Sequence, residues 1–135
     1  MSLFNLLKAL DEDNGSIRIG LIGAGKFGTM FASQAIRLPG VHVVGIVDLN
    51  IQACKSNLKL AGWDPEIYNA ESLNQALVSG TTYISEDYTN IINEPRIDIV
   101  IECTGNPLAA IDHMISAFDS GKTVSYTHLT LPTKA

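Results

Sequence analysis

The chain has 135 residues, 46% of them apolar and 17% charged, with a formal net charge of −5. That length supports one domain with a real core, and the composition is that of a soluble globular protein. An acidic chain without a basic patch gives no reason to expect a nucleic-acid partner or an anionic membrane surface, and no apolar run approaches the length of a membrane span.

The N-terminal MSLFNLLKAL is apolar, but it has no basic leader and no small-residue cleavage site, so it does not read as a signal peptide. Ser2 can cap a short helix with the stripe Leu3, Leu6, Leu7 and Leu10, and Asp11 to Gly15 is a polar linker. Residues 1–15 thus stand apart from the domain that follows. The two cysteines, Cys54 and Cys103, fall in different predicted elements without ligand spacing. They read as reduced, buried thiols of a cytoplasmic protein, and the scattered cysteines and histidines offer no metal site.

An apolar strand (Ile17, Ile19, Leu21, Ile22) leads directly into Gly23-Ala24-Gly25-Lys26-Phe27-Gly28, and a helical pattern follows. Strand, glycine turn and helix start form the dinucleotide-binding fingerprint in its required context. Gly23 permits the turn, Gly25 lets a pyrophosphate approach the backbone, and Gly28 lets the helix pack closely on the strand. The N–H groups at the helix start, at the positive end of its dipole, can then hold phosphates.

Phe27, Met30, Phe31, Gln34 and Leu38 share one face of that helix and are expected in the core, with Pro39-Gly40 ending it. Val41 to Val47 is an apolar run expected of a parallel strand buried on both faces. It ends at Asp48, about twenty residues past Gly28, where such a domain places the carboxylate that binds the adenosine ribose. A carboxylate there repels a 2′-phosphate and favours NAD over NADP, although Lys55 nearby can blunt the preference. The plainer alternative is that Asp48 only starts the next turn or caps the next helix, but strand, spacing and glycine loop together favour the ribose role.

Asn50 caps a helix with Ile51, Cys54, Leu58 and Ala61 on one face, closed by Gly62. Trp63 to Ala70 reads as a loop whose Trp63 and Tyr68 serve packing. A helix from Ser72 buries Leu73, Ala76 and Leu77 and stops at Gly80. Thr81 to Ser85 is a short strand, and Asp87 caps a brief helix carrying Ile91 and Ile92. Ile97 to Glu102 is a strong strand running into Cys103-Thr104-Gly105-Asn106-Pro107. Asn106 and Pro107 open a helix with Ile111, Met114, Ile115 and Phe118, closed by Gly121.

The alternation predicts a Rossmann-type, doubly wound parallel α/β sheet with helices on both faces, cut short after about its fifth strand. Ligands of such sheets sit at the carboxyl ends of strands where the strand order reverses, so the loops after Ile22 and after Glu102 should flank the site. Cys103 lines that crevice, and Thr104 and Gly105 offer a hydroxyl and a bare backbone on the nicotinamide side. Glu102, Asp98 and the three histidines carry no expected chemistry.

After Thr123 the pattern calls for another apolar strand. Instead, VSYTHL resembles the translated end of a sequencing adapter, and residues 124–135 read as a non-native tail. Its β propensity still lets it take the fifth-strand position. An open edge beside the IDIVIE strand predicts a marginal, association-prone chain.

With GLIGAGKFG, VVGIVDLN and IDIVIECTGNP together, residues 16–123 resemble the NAD(P)-binding domain of homoserine-dehydrogenase-like oxidoreductases, nearest those carrying a C-terminal SAF domain. Similar domains serve the sugar oxidoreductases of the glucose-fructose oxidoreductase group. The resemblance implies hydride transfer between a nicotinamide cofactor, NAD or NADP, and an alcohol or carbonyl carbon of a small molecule. Gly23, Ala24, Gly25, Lys26, Phe27 and Gly28 match the pyrophosphate loop, Asp48 the ribose position, and Thr104 with Gly105 the nicotinamide-side loop. The catalytic lysine and acid of that family lie in a second domain that this chain lacks, so the chain is expected to bind cofactor without catalysing, and its parent can be oligomeric. The alternatives are a nucleotide-sensing regulatory domain of a transport system and a dinucleotide fold that binds nothing.

Overall fold

The computed structural model describes residues 17–23, 25–103, 108, 111–112, 115–116, 119–121 and 123–126. The expected N-terminal helix, Ala24, the stretch Thr104 to Pro107, the side chains of Lys26 and Phe27, and the chain beyond Tyr126 lie outside them.

Five strands, β1 (Ile17–Ile22), β2 (Val41–Val47), β3 (Tyr83–Ser85), β4 (Ile99–Glu102) and β5 (Thr123–Tyr126), form one sheet in the order β3-β2-β1-β4-β5. Every neighbouring pair is parallel. The expected doubly wound sheet is present, and β5 spans the expected domain limit at 123/124, with Val124 to Tyr126 in the fifth-strand position. β4 therefore lies one strand inside the edge.

Helices α1 (Lys26–Ala35), α2 (Ile51–Leu60), α3 (Leu73–Ser79) and α4 (Thr89–Ile92) connect the strands. Residues of α1 and α2 (Ala32, Ala35, Cys54, Leu58) join Ile19, Leu21, Val43, Ile46 and Ile101 in one buried cluster. On the opposite face, Ala76 of α3 and Ile91 and Ile92 of α4 pack with Ile22, Val44, Val47 and Val100. Two apolar faces explain why β1, β2 and β4 read as near-continuous hydrophobic runs rather than as alternating ones.

Local signals act where expected. The Asn50 side chain accepts the Ala53 N–H and that of Ser72 the Gln75 N–H, each at 3.0 Å, and Gly80 ends α3 in the left-handed region at φ +72°. Trp63 and Tyr68 are buried packing residues, the Trp63 indole N–H donating to the Ala32 carbonyl at 3.3 Å. The stretch expected as a loop there contains a 3-10 turn, Pro65–Tyr68, started by the Asp64 carboxylate accepting the Glu66 N–H.

The buried face of α1 differs from the expected stripe. Met30 and Gln34 are exposed and Phe31 is only half-buried, whereas Gly28, Ala32 and Ala35 face the sheet. Side-chain size decides this. The helix lies so close to the end of β1 that only small residues fit beneath it, and a Cβ on Gly28 would overlap the Gly23 carbonyl oxygen. Hydrophobic periodicity alone rotates the helix toward its large residues; close approach rotates it back.

A second feature is a register shift in the β1–β2 ladder. Ile19 pairs Val43 and Gly20 pairs Gly45, so Val44 is skipped. This bulge leaves Val44 on the same face as Gly45, toward Ile91. Gly20 and Gly45 lie side by side and form a notch, and a Cβ on either would overlap a methyl group of the fully buried Ile91.

Candidate cofactor-binding site

The strand order reverses between β1 and β4, because β2 and β3 extend to one side of β1 while β4 and β5 extend to the other. At that switch point the carboxyl ends of the two strands meet, with Ile22 opposite Glu102 and the Cys103 N–H donating to the Ile22 carbonyl at 2.8 Å. Ligands of open α/β sheets sit in this crevice.

Gly23 makes the turn out of β1 at φ +89°, a conformation that L side chains rarely adopt. Its N–H donates to the Val47 carbonyl at 2.6 Å, which fixes the loop to the end of β2. Gly28 is needed for the close approach described above, and a Cβ there would also stand 3.5 Å from the Cys103 Cβ.

Gly25 is different. It is the N-cap of α1 at φ −69°, open to any residue, and a Cβ built on it meets no atom of the described residues within 4 Å. Among the described residues, neither backbone strain nor internal packing calls for glycine here. A helix start of this kind suits an anionic ligand: the first-turn N–H groups lack intrahelical acceptors, and the helix dipole favours negative charge. Gly25 has no side chain with which to cap this N-terminus, and no acidic residue lies in its first turn. The residues present fit a dinucleotide pyrophosphate.

Asp48 follows β2, half-buried, with its N–H donating to the Ser85 carbonyl at 2.9 Å. Its Oδ1 accepts the Asn50 N–H at 3.0 Å, so the residue does start the turn into α2. That contact and a ribose contact are compatible, because a carboxylate has about four lone-pair sites. The structure thus gathers Gly23, Gly25, Gly28, Asp48 and Cys103 at one edge of the sheet. Ala24, Thr104 and Gly105 lie outside the described residues.

Cys54 is buried and its thiol is pushed up to about 12 by desolvation, with a further upward push from Asp48 and a downward one from Lys55. It is inert at neutral pH. Cys54 and Cys103 are not joined by a disulfide. Glu102 is buried at the end of β4, and Asp98, at the opposite end, accepts the Arg18 N–H at 2.9 Å. Among the described residues a cavity of about 440 Å³ is lined by Thr29, Asn57, Leu60 and Ala61, apart from Gly23, Gly25, Gly28, Asp48 and Cys103. Among the described residues no group of three or more His, Cys, Asp and Glu side chains could hold a metal ion, and no helix is long and apolar enough to cross a membrane.

Asp87 acts at the start of the helix after β3 as expected, accepting the Thr89 N–H at 2.9 Å; what sequence reasoning missed is that Ser85 and Asn90 are tied into the same turn, beside Asp48. The signal was present in the spacing of Ser85, Asp87 and Thr89, the pattern of side chains that bond backbone two residues on.

The glycine turn, the switch point and the carboxylate after β2 define a dinucleotide-binding Rossmann domain. The profile of the oxidoreductase family with an NAD-binding Rossmann fold (GFO_IDH_MocA) matches residues 17–128. The chain belongs to that family. No curated protein matches it by sequence.

Several solved structures share its fold. Myo-inositol dehydrogenase from Lactobacillus casei, in complex with NAD(H) and myo-inositol, superposes with a TM-score of 0.61 at 19% identity, over 82% of this chain and 28% of that one. Myo-inositol dehydrogenase from Corynebacterium glutamicum gives 0.59 at 17%, over 82% and 27%. Levoglucosan dehydrogenase, in complex with NADH and L-sorbose, gives 0.55 at 20%, over 83% and 27%. The chain spans about a quarter of the length of these proteins, 27–28%.

Proposed function

We propose that this chain is the cofactor-binding portion of an oxidoreductase that transfers hydride between a nicotinamide dinucleotide and an alcohol or carbonyl carbon of a small molecule. The observation that carries this reading is Gly25 at the start of α1, a glycine that neither its backbone conformation nor packing among the described residues requires. In the bound state the dinucleotide supplies the hydride donor or acceptor. The chain's part is to hold the pyrophosphate at the Gly23–Gly28 turn, to bind the adenosine ribose at Asp48, and to line the nicotinamide side with Cys103, Thr104 and Gly105. The substrate pocket and catalytic residues belong to a further domain of the parent, which can be oligomeric; nucleic acid and membrane have no part in this reading.

Within the family, we read the parent as homoserine-dehydrogenase-like, on the combination of GLIGAGKFG, VVGIVDLN and IECTGNP. A polyhydroxylated substrate is the second reading, favoured by the shared fold with inositol and levoglucosan dehydrogenases. Turnover of homoserine against inositol by a full-length parent separates the two. Residues 124–135 stand in this reading as a non-native tail, and resequencing the source locus across the Thr123 codon tests that.

The central test is a fluorescence titration with NADH of the wild type and Gly25→Val. Placing a side chain against the pyrophosphate should weaken binding by at least about tenfold, an overlap cost of more than ~1.4 kcal/mol. Equal affinity in the two proteins would reject the phosphate-loop assignment.

A further inference from the structure

β3 is a three-residue edge strand, yet the turn at its carboxyl end is held at three points. The first is the backbone: Ser85 is in register with Val47, and its carbonyl accepts the N–H of Asp48 at 2.9 Å. The second is the Ser85 side chain, in a residue only 5% exposed, whose hydroxyl accepts the Asp87 N–H and the Asn90 side-chain amide, both at 3.0 Å. Asp87 in turn accepts the Thr89 N–H at 2.9 Å and its hydroxyl at 2.7 Å, contacts that hold its carboxyl below the usual carboxylate range. The third is Ile91, fully buried in the Gly20–Gly45 notch one residue past Asn90.

A short edge strand does not need so firm a turn to stay paired. The turn sits at the edge of the sheet where ligands bind, and what it holds is the backbone of Asp48. We propose that Ser85 is a positioning residue for Asp48, and that the Ser85–Asn90 turn sets how strongly the site prefers the 2′-hydroxyl of NAD over the 2′-phosphate of NADP. The proposal rests on the reading of Asp48 as the ribose carboxylate. A carboxylate on a fixed backbone keeps its hydrogen bonds to a ribose and cannot retreat from a phosphate. Loosening the turn relaxes both effects, so the affinity for NADH falls while that for NADPH holds or rises.

The test measures dissociation constants for NADH and NADPH with the full 135-residue chain as wild type, Ser85→Ala, Asn90→Ala, Asp48→Ala and the Ser85→Ala/Asp48→Ala double variant. Ser85→Ala should weaken NADH binding about 3- to 10-fold, the worth of a hydrogen bond or two, with little change for NADPH. In the Asp48→Ala background it should change nothing further, since the two residues act as a unit. Asn90 is exposed and its replacement removes one bond to the Ser85 hydroxyl, so Asn90→Ala should move the NADH-to-NADPH ratio in the same direction even if Ser85→Ala does not fold. Equal losses for both cofactors, or the same loss with and without Asp48, would mark the turn as merely structural and overturn the proposal. If Asp48→Ala leaves both affinities unchanged, the ribose reading falls and the proposal with it. If Asp48→Ala relaxes selectivity and neither turn variant does, only the positioning role falls.

Discussion

Gly25 and Gly28 sit three residues apart in one motif, and the structure assigns them opposite kinds of necessity. A Cβ on Gly28 overlaps the Gly23 carbonyl oxygen and lies 3.2 Å from its carbon. Gly23 cannot yield, because its backbone is set at φ +89° and its N–H is held by Val47 at 2.6 Å. In Gly28→Ala the helix α1 must therefore lift from β1. Overpacking of this kind costs about 1–3 kcal/mol, with the upper half of that range applying against backbone that cannot yield, and the better helix propensity of alanine offsets about 1 kcal/mol, leaving a loss of about 1–2 kcal/mol. For a chain of this size that lowers Tm by about 5 °C. Gly25→Ala meets no atom of the described residues and needs no unusual backbone, so its cost is that of a poorer N-cap, about 0.7 kcal/mol, and Tm moves by about 2–3 °C. Its main effect falls on the ligand instead. Melting followed by circular dichroism gives the first quantity. Energy transfer from Trp63, the single tryptophan, to NADH gives the second. Gly28→Ala should lower both Tm and affinity, and Gly25→Ala chiefly affinity. A Gly25→Ala protein that melts as low as Gly28→Ala, or a Gly28→Ala protein that melts with the wild type, would refute the reasoning.

The Gly20–Gly45 notch predicts a specific rescue. Gly45→Ala meets the Ile91 Cδ1 and Gly20→Ala its Cγ2, so each should cost about 1–3 kcal/mol in denaturant unfolding. Ile91→Val, which deletes Cδ1 and keeps Cγ2, should restore Gly45→Ala but not Gly20→Ala; equal rescue of both would mean that Ile91 does not fill the notch as described. Cys54 carries a pH prediction. Its thiol is raised in the folded state, so the unfolded chain releases this proton first, and stability is unaffected below about pH 8 and then falls as pH rises from about 9 toward 12. Unfolding of Cys54→Ala should lose that part of the alkaline slope, and an unchanged slope would clear Cys54 of it. Asp48→Ala should bring NADH and NADPH affinities closer together in paired titrations, and unchanged selectivity would remove Asp48 from the ribose role.

Much of the fold was legible because its signals are local. A left-handed turn at Gly23, caps at Asn50 and Ser72 and a left-handed stop at Gly80 each depend on a residue and its neighbours within one turn. Strands buried on both faces announce themselves by composition, and the spacing of Gly23, Gly25, Gly28 and Asp48 points to the candidate site because each position in such a motif answers a separate steric or hydrogen-bonding demand. The face that α1 turns to the sheet was not legible. Periodicity counts hydrophobicity, while the contact with β1 is governed by how little space lies under Gly28, Ala32 and Ala35. Nor was the skipped Val44, since Val43-Val44-Gly45-Ile46-Val47 reads the same with or without a bulge.

By itself, then, the sequence determined the order and kind of the elements, the glycine turn and the carboxylate that follows β2, all matters of backbone conformation and of spacing along the chain. Tertiary structure alone decided that Gly20 and Gly45 lie together to receive Ile91, and that the turn from Ser85 to Asn90 closes beside Asp48. Those pairings join residues that are far apart in the chain. They depend on which atoms can approach closely once the sheet has twisted and its helices have docked, and no rule of local spacing carries that information.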